Sequence, residues 1–382
     1  MRKFFQILFG IVFLFVCRIG LAVDGGYDKG FYLLSDDKNF KFKFNIQIQP
    51  RHEYVAKEAA LDTNSFGLSR MRTYFTGHSF SPKFKYTLTV EFNKGADVRD
   101  AHVNFELADY FKVRIGRFYI PINREDVYSS VGLHLVDTSI VWSHFTVNRD
   151  YGLQISGKIV KPLDYAVFIA NGGGNNPAKA GQNLNKEMLV GARLQSVIMG
   201  TIPSYQGDYD MSESPNIGLG GTLLFDFGAD QETEGFSTFV EQSIDPLEDK
   251  ILRGDLDGSF TWHGFSLMSQ WQLAYNTVFR TIDHGVMVQN GMFIIPKRVE
   301  VAGRWASVFP DFPFPALAST GITKTGSEIG TGTPVHEWVG GINTYFRGHD
   351  LKLQMEYSQI MNVNGVRNVN DQIIRTQLTF VF

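Results

Sequence analysis

The stretch FKFKFNIQIQ, residues 40–49, places an apolar side chain at every second position. Phe40, Phe42, Phe44, Ile46 and Ile48 alternate with Lys41, Lys43, Asn45, Gln47 and Gln49. Successive side chains of a strand point to opposite faces, so this segment has one wholly apolar face and one wholly polar face. On a soluble sheet the apolar face packs on a core and the polar face meets water. In a transmembrane barrel the apolar face meets lipid and the polar face lines a lumen. The rest of the chain has to decide between these two surroundings.

The same alternation recurs to the end of the chain. Tyr86, Leu88, Val90 and Phe92 interleave with Thr87, Thr89, Glu91 and Asn93, and Ala101, Val103, Phe105 and Leu107 with His102, Asn104 and Glu106. Two hairpins are legible, one turning at His263-Gly264 and the other at Arg347-Gly348-His349-Asp350. Each joins two alternating strands through a Gly-containing turn. The predicted strands run about 9–12 residues, the length a tilted strand needs to cross a bilayer. Short turns alternate with long polar connections such as 171–187 and 200–216, matching the periplasmic turns and extracellular loops of a barrel. The polar faces carry both signs of charge, among them Arg193, Arg253, Asp255, Asp257, Glu300, Arg304, Lys352 and Glu356.

The segment RTQLTFVF, residues 375–382, decides between lipid and core. Ile374, Thr376, Leu378, Phe380 and Phe382 share one face, and the sequence stops on an aromatic residue within a strand. An exposed strand edge there would invite aggregation. Closing the first strand on the last removes it, and Phe382 is then the barrel-closing terminal aromatic. With about 360 mature residues and roughly 20–23 per strand plus connection, the chain is expected to be all-β: a transmembrane antiparallel β-barrel of about 16 strands (16–18).

The N-terminus, MRKFFQILFGIVFLFVCRIGLA, has a basic start, an apolar run from Phe4 to Val16 and a small-residue site near Ala22. That layout predicts a cleaved signal peptide over 1–22 and a barrel domain over 23–382, exported to the outer membrane. Cleavage removes Cys17, the only cysteine, and leaves 33 basic against 39 acidic residues, a net charge of −6. Disulfides and thiolate metal sites are thereby excluded, and nucleic acid is not an expected partner.

The sequence carries little that resembles an active site, so no enzyme and no cofactor is expected. His336-Glu337-Trp338 begins like a zinc-protease motif, but Gly340 stands where its second histidine belongs. The Asn171–Asn176 run lacks the Gly-Lys-Ser/Thr ending of a phosphate loop. FKVRIGRFYIPINRED, residues 111–126, is more informative. Pro121 ends a strand because proline cannot donate to the ladder, and the next strand begins near Tyr151. The apolar residues of this long connection (Val131, Leu133, Leu135, Val141, Trp142) need burial, which folding of 121–149 against the inner wall would supply.

The chain resembles the phosphate-selective porin (O/P) family of Gram-negative outer membranes. The stretches that carry the resemblance are GYDKGFYLLSDDKNFKFKF (26–44), SRMRTYFTG (69–77), GRFYIPINRED (116–126), NRDYGLQISGK (148–158), YAVFIANGGG (165–174), GMFIIPKRVEVAGRW (291–305), GGINTYFRGHDLKLQMEY (340–357) and the closing RTQLTFVF. They occur in family order over most of the mature chain. The resemblance implies a 16-stranded trimeric channel for small anions or polar solutes, with a third loop folded into the pore and arginines along the anion path. It places Arg70 and Arg72 in the basic cluster of an early strand, Pro121 and Glu125 at the start of the inward loop, Ser129 and Ser130 as its serine pair and Arg149 at its end. Arg114 and Arg124 are assigned to the same path.

The family pattern also has a lysine just before the serine pair and an arginine about eight residues after it. Here those positions read Asp126 and Thr138, so selectivity for phosphate should be weakened. Outer-membrane lipid, further copies in a homotrimer and the barrel-assembly machinery, engaged through the C-terminal strand, are the other expected partners. The alternative reading is a structural or adhesive surface protein that uses the barrel as an anchor.

Overall fold

The computed structural model describes residues 23–172, 187–227, 250–277, 280–311 and 332–382. The proposed signal peptide and most of the 171–187 connection lie outside the described residues. Among the described residues, eighteen antiparallel strands follow in chain order. They are β1 (Val23–Tyr27), β2 (Phe31–Ser35), β3 (Lys41–Lys57), β4 (Thr63–His78), β5 (Phe84–Glu91), β6 (Asp97–Ala108), β7 (Phe111–Tyr119), β8 (Arg149–Val160) and β9 (Leu163–Ala170). After these come β10 (Leu189–Met199), β11 (Asn216–Asp226), β12 (Ile251–Trp262), β13 (Phe265–Asn276), β14 (Thr281–Ile295), β15 (Val299–Phe309), β16 (Val335–Arg347), β17 (Leu351–Met361) and β18 (Asn370–Val381). Among the described residues, no helix is long and apolar enough to cross a membrane.

Each strand from β3 to β18 pairs with its chain neighbour, and β18 pairs back on β3 from Asp371↔Lys57 to Val381↔Gln47. The ring closes at sixteen strands. The backbones of Ile46 and Phe382 complete the seam with reciprocal hydrogen bonds of 2.8 and 3.0 Å. The hairpin β1–β2 stands outside that count. It is added to β3 through Phe31–Leu34 opposite Lys41–Phe44, beyond the point where β18 stops.

The opening segment lies in β3, with Gln47 and Gln49 buried inside the ring and Phe40 and Phe42 exposed outside it. The strand continues through Pro50, where a register shift accommodates the missing N–H. In β13 the inner residues Ser266, Gln270, Gln272 and Asn276 are buried, while Leu267 and Trp271 face outward. Outer apolar side chains continue around the ring at Leu256, Trp338, Ile342, Met355 and Ile374. A barrel with a wet or polar inside and an apolar outside has the polarity of a membrane pore rather than of a soluble sandwich.

The last bonds of the seam, between Ile46 and Phe382, and the tight turns at 161–162, 263–264 and 348–350 lie at one end of the barrel. The connection 200–215 lies at that same end, because β10 runs toward it and β11 away from it. Its length made it resemble an outer loop, but strand direction assigns it to the short-turn side. Length alone does not decide which end a connection occupies.

Outward residues near the middle of β16 give a direct test of the surroundings. Ile342→Arg should lower barrel stability by about 2–4 kcal/mol in lipid. Urea unfolding of the refolded protein in vesicles would measure it, and a tolerated arginine would contradict a lipid-facing outer surface.

Candidate functional site

The connection 120–148, between β7 and β8, lies against the inner faces of β10–β17. Its neck is closed by the Ile120 N–H donating to the Asn148 carbonyl at 2.9 Å. Just inside, a short helix α1 (Arg124–Val127) starts with a reciprocal cap between Asn123 and Asp126. A second helix, α2 (Ile140–Phe145), is capped by Ser139, whose hydroxyl accepts the Trp142 N–H. Val141 and Phe145 of α2 pack with Met268, Met287, Ala306 and Val308 of the wall, and Ile120, Ile122 and Val147 pack with Phe118, Phe168 and Leu224. Of the apolar side chains the sequence left without a partner, Val141 is buried in these contacts, Leu133 and Leu135 are buried elsewhere along the loop, and Val131 and Trp142 are half-buried.

Polar contacts fix the same loop at many points. Arg124 is buried and pairs with Asp257 at 2.6 Å; it does not face the open cavity. Glu125 accepts the N–H and hydroxyl of Ser139 and the Gln270 amide, and burial raises its pKa. Farther along, Val136 N–H donates to Glu356, and Arg304 donates to the carbonyls of Asp137 and Thr138. His144 pairs with Asp283 at 2.9 Å.

His134 forms a second interior cluster, which no spacing of residues along the chain reveals. Its ring nitrogens meet Gln289 and Ser266, each at 2.9 Å, with Glu300 at 3.3 Å. The 200–215 connection enters from the short-turn end and completes it. Gln206 donates its N–H to Gly132 O and accepts from His134 N–H and the Gln289 amide. Beside it, Tyr205 stacks on His349 at 3.8 Å. Burial next to Lys352 lowers His349 to about 3, so it stays neutral in physiological conditions.

With that half of the interior occupied, an open cavity of about 890 Å³ remains along β3, β4, β6, β8 and β18. Its wall carries Arg51, Arg70, Arg72, Arg99, Arg149 and Arg375. Across from them the loop presents Asp126, Ser129, Ser130, Asp137 and Thr138. The structure therefore gathers Arg70, Arg72, Ser129, Ser130 and Arg149 of the expected anion path around one space, with Glu125, Asp126 and Thr138 also on its lining. Arg114 instead donates to Asn104 and lies over the Phe118 ring, and it is not among the residues lining the cavity. Pro121 sits at the loop neck, one residue past the closing bond.

Each wall arginine has a carboxylate within ion-pair reach. Arg72 pairs with Glu91, Arg99 with Asp97 and Arg149 with Asp100. Arg375 reaches Glu53 and Glu356, at 2.6 and 2.9 Å. Arg51 grips Asp137 with two bonds of 2.8 and 2.9 Å, and Arg70 lies 3.8 Å from the same carboxylate. Burial works to raise Asp137, but the guanidinium groups of Arg51 and Arg375 outweigh it and hold the carboxyl well below the usual range. Asp126 goes the other way. Burial pushes it up to about 7 although Trp142, Asn123 and Thr146 all donate to it.

Over residues 40–197 the chain matches the family described as phosphate-selective porin O and P. No curated protein matches it. Among solved structures it is similar to an anion-selective porin from Comamonas acidovorans, with a TM-score of 0.59 and 10% identity, covering 89% of this chain and 99% of that one. It is also similar to Salmonella typhi OmpF in complex with daunomycin, with a TM-score of 0.59 and 12% identity over 94% and 100% of the two chains. A third is the trimer form of in-vitro folded OmpT, an outer-membrane protein of Vibrio cholerae, with a TM-score of 0.53 and 11% identity over 89% and 99%. Residues 40–197 thus match the phosphate-selective porin O and P family, and the chain as a whole has the fold of Gram-negative outer-membrane porins.

Proposed function

We propose that this barrel is a passive outer-membrane channel for small polar solutes, with little preference for phosphate. The observation that carries the reading is the wall of six arginines, every one of them matched by a carboxylate within 4 Å. Stripping water from a phosphate demands several charge-assisted donors with charge to spare. Donors already engaged by carboxylates offer the anion much less. Asp126 and Thr138, standing where the resemblance implies a lysine and an arginine, support the same reading.

Loop 121–149 is the constricting element, because it reaches the arginine wall through Asp137 and leaves only the space beside that contact open. Ser129, Ser130, Arg70, Arg72 and Arg149 line the solute path. Arg124, Glu125 and Pro121 act as anchors of the loop rather than as contacts for solute. Assembly as a homotrimer, export through cleavage near Ala22 and insertion by the barrel-assembly machinery complete the proposal.

Purified, refolded protein should give discrete conductance steps in planar bilayers, with a reversal potential near zero under a KCl gradient. Absence of any conductance would overturn the transport reading and favour a surface anchor.

Asp126 adds a pH dependence. In the folded chain its carboxyl keeps the proton up to about pH 7, whereas in the unfolded chain it would lose it near the ordinary value of 3.8. The raised value makes the loop's packing most favourable on the acid side, and that contribution fades as pH rises from about 4 through 7. Over the same rise the cavity gains a negative charge. The reversal potential should shift toward cations between about pH 6 and 8, and Asp126→Asn should remove that shift.

A further inference from the structure

The carboxylate of Asp137 occupies an unusual place. It is carried by the loop, not by the arginine wall, and it enters between three guanidinium groups that belong to β3, β4 and β18. Arg51 binds both of its oxygens, Arg70 approaches Oδ1 at 3.8 Å and Arg375 approaches Oδ2 at 3.6 Å. The guanidinium groups are themselves held: Arg51 by Gln377, Arg70 by Gln49, and Arg375 by Glu53 and Glu356. The backbone of the carboxylate is clamped as well. Val136 N–H donates to Glu356 at 2.8 Å, and Arg304 donates to the Asp137 and Thr138 carbonyls at 2.9 and 3.3 Å. The three guanidinium side chains are 15–17% exposed and the Asp137 side chain 31%, and Asp137, Arg51, Arg70 and Arg375 all line the cavity.

A planar, bidentate grip by one arginine with two more converging is the arrangement that recognises a free oxyanion. We infer that Asp137 is a built-in ligand that fills an oxyanion site on the channel wall and keeps small anions such as inorganic phosphate from binding there. This rests on the porin reading given above and goes further, because it names the single group that sets anion preference. The three arginines stay charged and pre-positioned when Asp137 loses its charge, since their other partners lie on the wall. The site therefore exists in the barrel and is masked by the loop.

The test compares wild type, Asp137→Asn and Asp137→Glu in planar bilayers, using inorganic phosphate added to KCl as the probe. Asp137→Asn should shift the reversal potential toward anions. Phosphate should then block its conductance at roughly ten- to a hundredfold lower concentration than in wild type, the range expected for hydrogen bonds to charged groups. Asp137→Glu, which restores the charge, should behave like wild type. Unchanged selectivity and unchanged block in a conducting Asp137→Asn channel would overturn the inference. A second reading needs no variant at all: wild-type channels blocked by low phosphate would also overturn it, because the site would then be open with Asp137 in place. If wild type conducts nothing, it is the porin reading that fails, a result distinct from either of these.

Discussion

Guanidinium groups crowded on one wall of a narrow interior repel one another strongly. Two like charges 4 Å apart cost about 4 kcal/mol at an effective dielectric of about 20. Arg51, Arg70, Arg72, Arg99, Arg149 and Arg375 all face one cavity, so the wall stands only if negative charge is laid among them. Most of that charge comes from neighbouring strands, as with Glu91 for Arg72 and Asp100 for Arg149. At the most crowded place it comes from the loop, through Asp137. The loop is thereby tied to the wall by electrostatics as well as by packing, and the width and the charge of the channel are set by the same residues.

The opposite half of the barrel meets a different need. A ring of sixteen strands encloses more space than its own side chains fill. Helix α2 covers the apolar inner patch of β12–β16, and Gln206 joins the 200–215 connection to Gly132 and His134. Arg124 on Asp257 fastens the start of the loop to the far wall. With the loop fixed at both ends and along its length, the open space is confined to the arginine side. That confinement is what makes a few loop carboxylates decisive for what passes.

Much of the barrel was legible because the side-chain period of a strand is short and rigid. FKFKFNIQIQ shows an apolar face without a break and RTQLTFVF one interrupted at Thr376, and the structure pairs those two segments at the seam. The added hairpin β1–β2 was not separable from β3 in the sequence, since nothing in GYDKGFYLLSDDKNFKFKF says where the closed ring begins. The apolar residues between Val131 and Trp142 announced a loop that needed burial, but the two helices within it are too short for periodicity to register. Arg70, Arg72, Ser129, Ser130 and Arg149 were found through a family pattern, and they do meet at one cavity. Arg124 shows the weakness of that route. A cation in the right motif faces Asp257 on the far wall because backbone direction within a loop is set by its tertiary anchors. Asp137 escaped notice for the same reason: its three partners come from β3, β4 and β18, more than 60 residues away at the nearest and over 200 at the farthest.

The selectivity of the channel turns on which group occupies the space between Arg51, Arg70 and Arg375. A crystal of the wild-type protein grown or soaked in bromide, measured at the bromine absorption edge, would answer it directly. No bromide should lie among those three guanidinium groups, with the Asp137 carboxylate seated there instead. A bromide peak centred between them, with Asp137 turned away, would contradict it.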